Sequence, residues 1–182
     1  MKTKLSLGFL LIVALCGRAP EVATAKATAK PAAQKPMKPT TAAQMKIFAA
    51  LYEADDKVSL KRGMQFLRDI LTPDFKLHLF GETYERAQYL RNMTDFYQEI
   101  IKAQSSKSVI EKLEFYDKQT FVVCTSTHQF TMCDESGKVR QMKMIQRSRD
   151  NWISTSRGWR VQSVTAISER NFIDGKQVSA RP

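Results

Sequence analysis

The sequence predicts an α+β domain in which three helices pack on one face of a strongly curved antiparallel sheet. Two periodicities predict it. Apolar residues recur every three or four positions over 44–103, which is typical of amphipathic helices. Over 109–172 they recur at every second position, which is typical of strands with one buried face. The 182 residues are enough for one such domain and little else.

Three helices are predicted in the first half of the domain. Asp55-Asp56 separates the first helix from the second and can cap the start of the second helix. Pro73 ends the second helix, because the residue before a proline avoids helical geometry. A short strand over 75–80 and a turn at 81–83 precede the third helix, at about 84–103. The apolar stripes are Ile47, Phe48, Leu51 and Tyr52; Leu60, Met64, Leu67, Ile70 and Leu71; and Tyr89, Leu90, Met93, Phe96, Tyr97, Ile100 and Ile101.

The second half is predicted to form a four-stranded meander, because turn signals separate segments rich in Thr, Val and Phe. A loop is expected at 104–108 and a frayed tail after the turn at 174–176. The predicted strands cover 109–117, 120–133, 139–154 and 159–172.

Two pieces of sequence resemble the nuclear transport factor 2-like superfamily. One is LTPDF followed by Gly81, at 71–81, and the other is SRDNW followed by GW, at 148–159, with DGK at 174–176. Over 44–178 the chain is most similar to SnoaL-like domains of exported bacterial proteins. The resemblance implies a cone-shaped (cystatin-like) fold, a bent sheet wrapped by helices, and a homodimer formed through the outer face of the sheet.

Relatives of this kind use the cone in several ways, so the fold does not determine the function. Ketosteroid isomerase and scytalone dehydratase carry out proton transfer in the cone, and polyketide cyclases bind a flat ligand there. The association domain of calcium/calmodulin-dependent kinase mainly assembles with partners. We expect the cone to bind a small apolar or mixed-polarity molecule or a protein partner, without a cofactor. The alternatives are a cofactor-free lyase or isomerase, and an assembly module whose interior is filled by Phe and by Met93, Met142 and Met144.

Asp150 is the first catalytic candidate. Period 2 places it on one strand face with Gln146, Ser148 and Trp152. The resemblance to the kinase association domain, which has an inward arginine two residues before its strand tryptophan, implies that Asp150 points into the cone. An apolar wall would then raise its pKa and make it a usable base. The alternative is a structural ion pair with Arg147, Arg149 or Arg160.

His78 and Tyr52 are the other two candidates. His78 lies near the position of the isomerase's catalytic carboxylate, although residues 76–80 contain no carboxylate. It is either a base, alone or paired with Asp150, or a wall residue between leucines. Tyr52 lies where the isomerase keeps its oxyanion-donor tyrosine, and is otherwise a core residue.

Further residues are expected to contact a ligand. His128 shares a strand face with Cys124, Ser126 and Phe130, and Trp152 is expected mainly as a packing anchor. With His78 and His128 as the only histidines and no metal-spaced cysteine pair, no metal site is predicted. The expected ligand-binding set is Phe80, Tyr97, His128, Gln146, Ser148 and Trp152.

The N-terminal residues are typical of an exported protein. Lys2 and Lys4 precede an apolar run over 5–16, and Ala23-Thr24-Ala25 fits a cleavage site, so residues 1–25 are predicted to be a signal peptide. The alternatives are an uncleaved anchor or lipidation at Cys16. Cleavage would leave no membrane span and a periplasmic or secreted protein, with 26–43 as a flexible Ala/Lys/Pro-rich tether or an interaction tail.

The net charge of +11 is concentrated outside the domain. Seven basic residues and Glu21 precede residue 44, which leaves 22 basic and 17 acidic residues, or +5, for 44–182. We therefore expect no nucleic-acid partner. Cys124 and Cys133 are nine residues apart on one predicted strand, about 30 Å when extended, too far for a disulfide.

Overall fold

Three helices and seven strands make up the part of the chain that the computed structural model describes, which is residues 42–57, 60–134 and 136–181. The predicted signal peptide and all but the last two residues of the tether lie outside these ranges. The helices are α1 (Ala42–Asp56), α2 (Leu60–Ile70) and α3 (Arg86–Glu99). The strands are β1 (Leu71–Leu79), β2 (Glu82–Glu85), β3 (Ile100–Tyr116), β4 (Gln119–Cys133), β5 (Val139–Thr155), β6 (Gly158–Ile173) and β7 (Lys176–Arg181).

All seven strands belong to one sheet, in the order β2-β1-β6-β5-β4-β3, with β7 also paired to β6. The predicted meander is confirmed, since β3, β4, β5 and β6 pair antiparallel in sequence order. The sheet is nevertheless mixed, because β1 runs parallel to β6. The prediction of a purely antiparallel sheet was wrong at this one pair.

Three boundaries differ from the sequence prediction. The third helix ends at Glu99, and β3 starts at Ile100 and runs through the predicted loop at 104–108. Strand β1 starts at Leu71, with an irregular register across Pro73. The predicted frayed tail is strand β7, so the paired part of the domain extends to Arg181 rather than 178.

The core lies between the helices and the concave face of the sheet. Even-numbered residues of β4 and β5 are buried in almost strict alternation, from Thr120 to Met132 and from Met142 to Trp152. Phe48 of α1 packs its ring against Trp152, at 5.7 Å between centroids, and Phe96 of α3 packs against Phe130 at 5.5 Å. Aromatic contacts of this kind fix the helices on the sheet.

Two irregularities in β6 change which of its residues face inward. Val161 and Val164 are both buried although they are three residues apart, because one extra residue lies between them in the register. A second extra residue lies between Ala166 and Ser168. Such bulges bend a strand and reverse its alternation. Beyond the second bulge, Glu169 and Asn171 therefore face inward.

The convex, outer face of the sheet is polar. Arg147 forms an ion pair with Glu111 at 2.8 Å, and Arg149 lies 3.5 Å from Glu114 and 4.0 Å from the centre of the Phe121 ring. Arg147 and Arg149 thus lie on the solvated face of the sheet. No helix in the described ranges is long and apolar enough to cross a membrane.

Candidate functional site

Asp150 lies at the centre of a buried hydrogen-bond cluster. Its side chain is 2 % exposed and faces the concave side, as the resemblance implied. The Tyr52 hydroxyl of α1 donates to Oδ2, and the Ser148 hydroxyl donates to Oδ1 at 2.7 Å. The Cys124 thiol donates to Oδ2 at 3.5 Å, and the Trp152 indole N–H donates to the Tyr52 oxygen at 3.4 Å. Asp150 therefore has three donors within one cluster.

Burial determines the acid–base properties of this cluster. Loss of water raises the pKa of Asp150, although the three donated hydrogen bonds oppose the rise. Burial, and then the charge of Asp150, raises the pKa of Tyr52, so this hydroxyl stays protonated and remains a donor. Burial likewise raises the pKa of the Cys124 thiol. The group that can exchange a proton most readily in this cluster is thus Asp150.

A second buried cluster lies further along the concave face. Gln146 is opposite Glu169 in the register, and its side-chain amide donates to Glu169 Oε2 at 2.9 Å. The Asn171 amide donates to Glu169 Oε1 at 2.7 Å and to the Ser179 hydroxyl of β7 at 3.0 Å. Gln146, Glu169 and Asn171 are each at most 3 % exposed.

Two oxygens of this second cluster are unpartnered. Gln146 Oε1 and Asn171 Oδ1 are buried and have no hydrogen-bond partner within the described ranges. The orientation of both amides is assigned from the hydrogen-bond network, since each N–H₂ must face the Glu169 carboxylate. Their oxygens are left as acceptors, and a buried polar atom without a partner costs about 1–3 kcal/mol.

The two clusters belong to one continuous set of polar side chains, which we call the inner polar row. Ser126 lies beside Gln146 in the register and bonds Ser108 of β3 at 2.9 Å. His128 is bonded to Ser106 at 2.7 Å, and its burial lowers its pKa to about 3. The row consists of Cys124, Ser126 and His128 on β4, Gln146, Ser148 and Asp150 on β5, and Glu169 and Asn171 on β6.

His78 does not take part in this site. Its neighbours Leu77 and Leu79 are buried, whereas His78 pairs with Thr165 and bonds the Thr83 hydroxyl at 3.0 Å on the opposite side of the strand. The register places Leu77, not His78, on the same side of the sheet as Asp150. The expected dyad between His78 and Asp150 was wrong, because alternation within β1 directs the histidine outward.

The other candidates divide into two groups. Tyr52, Ser148 and Trp152 lie together at Asp150, and Gln146 and His128 lie on the same face. Phe80 occupies the β1–β2 turn, where the Arg181 guanidinium lies 5.4 Å from its ring centre. Tyr97 packs against Gly63 of α2, so closely that a Cβ at Gly63 would lie 2.7 Å from its hydroxyl. The contacts with Arg181 and Gly63 lie outside the inner polar row.

The arginine pairing considered for Asp150 is also not formed. Arg147 bonds Glu111, Arg149 bonds Glu114, and Arg160 donates to the carbonyl of Trp159. The carboxyl group of Asp150 is held by neutral donors instead. Across the described ranges, no group of three His, Cys, Asp or Glu side chains is arranged to hold a metal ion.

The sequence analysis missed Glu169 and Asn171. Strict alternation from Val164 would bury Ala166, Ser168 and Arg170 and expose both residues. The bulge between Ala166 and Ser168 reverses this pattern. The sequence gives no signal for the inward face here, because residues 168–171 are all polar.

Comparisons with known proteins identify the fold. No family model and no curated protein matches the chain. Among solved structures, a protein from Novosphingobium aromaticivorans provisionally assigned as a scytalone dehydratase is 12% identical, with a TM-score of 0.54 over 76% of this chain and 91% of that one. A nuclear transport factor 2-like protein of unknown function from Prochlorococcus is 16% identical, with a TM-score of 0.52 over 69% and 92% of the two chains. This chain therefore has the nuclear transport factor 2-like fold.

Proposed function

We propose that this protein binds a small molecule of mixed polarity between its helices and the concave face of its sheet. The observation that carries the proposal is the pair of buried, unpartnered oxygens, Gln146 Oε1 and Asn171 Oδ1. Buried polar atoms in native proteins are almost always hydrogen-bonded, so an exception requires an explanation. A bound molecule with hydrogen-bond donors provides one.

The surroundings of these oxygens also support binding. Ligand sites are mostly apolar, with a few polar groups that fix the orientation of the bound molecule. Here Met144 and Phe130, on the same strand faces as the inner polar row, supply buried apolar surface beside it. A purely structural module explains the apolar filling, but it gives no reason for the seven buried polar side chains and the buried thiol of the inner polar row.

A screen of small molecules by thermal shift tests this proposal. We expect at least one compound to raise the melting temperature of the wild type and to lose its effect with Gln146→Leu. The matched control is Gln141→Leu, the same substitution at an exposed position of β5. If no compound raises the melting temperature, or if Gln146→Leu retains the full effect, the proposed site is wrong.

A second candidate function is proton transfer at Asp150, without His78. Asp150 and Tyr52 favour it, because burial raises the pKa of the Asp150 carboxyl group and so makes it a stronger base, and the Tyr52 hydroxyl is a donor beside it. Hydrogen–deuterium exchange into carbonyl compounds, followed by NMR, would detect such chemistry. The rate should fall at least 100-fold in Asp150→Asn. Exchange that is unchanged in Asp150→Asn excludes this role.

Export is also part of the proposal, on the pattern of residues 1–25 alone. A cleaved protein would begin at Lys26. N-terminal sequencing of the protein recovered from its own cells tests this directly. A protein that still begins at Met1 contradicts it.

A further inference from the structure

Glu169 is an acidic side chain buried in the interior of the fold. Glu169 is 3 % exposed, and its hydrogen-bond donors among the described residues are the neutral amides of Gln146 and Asn171. Within the described ranges, no Lys, Arg or His forms an ion pair with it. Two neutral donors reduce the cost of burying a carboxylate but do not balance its charge.

The cluster also offers acceptors and almost no donors. Because both amides direct their N–H₂ groups towards Glu169, the groups left for a bound molecule are the carboxylate and the oxygens Gln146 Oε1 and Asn171 Oδ1. Gln146 and Glu169 are directly opposite in the antiparallel register, and Asn171 is two residues along the same face. Side chains so related have Cβ atoms about 5 to 8 Å apart. One small group can therefore meet all three.

We propose that this cluster binds the primary ammonium group of a small organic amine. An ammonium group has three N–H donors and one positive charge, which matches three acceptor sites and one negative charge. A hydroxyl group donates only one hydrogen bond, and a quaternary ammonium donates none. A carboxylate or phosphate would be repelled by Glu169. The inference rests on the proposed function and specifies the class of ligand for the same interior.

The body of the amine would lie along the concave face. Met144 is the register partner of Asn171 on β5 and is buried, so it supplies apolar surface beside the ammonium position. His128 is the partner of Met144 on β4, and burial lowers its pKa to about 3, so it is neutral at pH 7 and does not repel a cation. A short alkyl chain fits these surroundings better than a second charged group.

The test is a binding titration of the full chain with four small molecules of similar size, at pH 7 and constant ionic strength. The probes are n-butylammonium chloride, 1-butanol, sodium butyrate and tetramethylammonium chloride, with binding measured by NMR and thermal shift. We expect n-butylammonium alone to bind. Glu169→Gln should weaken it by about 10- to 100-fold, because a charge-assisted hydrogen bond becomes a neutral one. Glu85→Gln, at an exposed carboxylate, should leave binding unchanged.

Two variants keep the test decisive if Glu169→Gln does not fold. Gln146→Met and Asn171→Leu each remove one unpartnered oxygen and should weaken n-butylammonium binding by about 3- to 10-fold. Equal binding of 1-butanol and n-butylammonium would overturn the inference while leaving the proposed binding function intact. If a water molecule is the only occupant, none of the four probes binds, and the inference fails. If the small-molecule screen also finds nothing, the proposed function fails with it.

Discussion

Asp150 keeps its carboxyl group away from water while Tyr52, Ser148 and Cys124 donate hydrogen bonds to it. These donors favour the ionised form and burial disfavours it, and burial dominates, so the pKa is raised. The protonation of the Asp150 carboxyl group is therefore linked to the stability of the fold.

The first prediction concerns this linkage. A raised pKa in the folded state contributes stability that is fully present below the unfolded-state pKa of about 3.9 and is lost as the pH rises through the folded-state value. Asp150→Asn removes this term. Urea unfolding from pH 4 to pH 8 should therefore show the variant gaining stability relative to the wild type as the pH rises. A difference that is constant with pH would contradict the assignment.

The second prediction concerns His128, with the opposite dependence on pH. Burial lowers its pKa to about 3, so only the unfolded chain, with a pKa of about 6.5, takes up a proton at mildly acidic pH. Between pH 7.5 and pH 5 the wild type should lose about 2 kcal/mol of stability through this residue. His128→Gln should lose correspondingly less in the same urea titrations. An equal loss in both proteins would show that His128 is accessible to protons in the folded state.

The inward-facing residues could be predicted from the sequence only where a strand alternates without a bulge. On β5, which alternates without interruption from Met142 to Trp152, period 2 alone grouped Gln146, Ser148 and Asp150 on one face. On β6 the same reasoning failed at Glu169 and Asn171, because a bulge is set by tertiary curvature and leaves little trace in the sequence. His78 was misplaced for another reason: the resemblance suggested a position, but the alternation of its own strand directs it outward.

At the scale of elements, α1 links the core to the site. It carries Phe48, which packs on Trp152, and one turn later Tyr52, which donates to Asp150. Residues four apart lie on the same helix face, so one helix face supplies both the packing contact and the hydrogen-bond donor. The position of the Tyr52 hydroxyl thus depends on the packing of Phe48.

The third prediction follows from this arrangement. Phe48→Ala should lower the free energy of unfolding by about 3–5 kcal/mol, since it removes a fully buried aromatic ring. Ile47→Ala is the matched control, because the adjacent side chain is 48% exposed, and should change stability by less than about 1 kcal/mol. Urea unfolding of both variants measures the difference. Similar losses would mean that α1 is not held on the sheet by this contact.

Elements were predictable where their two faces differ in polarity. The three helices and strands β4 and β5 have such faces, and their boundaries were predicted within a few residues. The start of β3 was not, because Gln104, Ser105, Ser106, Lys107 and Ser108 have no apolar alternation. Pairing with β4 makes this segment a strand, and that pairing involves residues about twenty positions away. Such long-range partners cannot be read from a local pattern.

At the scale of the whole molecule, we propose a homodimer formed through the outer face of the sheet. Ile145 lies on this face in β5, paired with Thr127 and Arg170. The fourth prediction is that Ile145→Lys shifts the protein from dimer to monomer in light scattering coupled to size-exclusion chromatography. Ile47→Lys, on the exposed side of α1, should leave the dimer intact. A monomeric wild type, or a dimer that tolerates Ile145→Lys, would contradict this interface.

The most direct test of the central claim, that the inner polar row holds a small molecule, is native mass spectrometry of the protein purified from its own cells. Wild type and Gln146→Leu should be purified side by side, with Gln141→Leu as the control. The fifth prediction is that the wild type and the control retain an additional small mass that is absent from Gln146→Leu. If all three have the mass of the polypeptide alone and remain so after incubation with a cell extract, the interior is a structural core rather than a binding site.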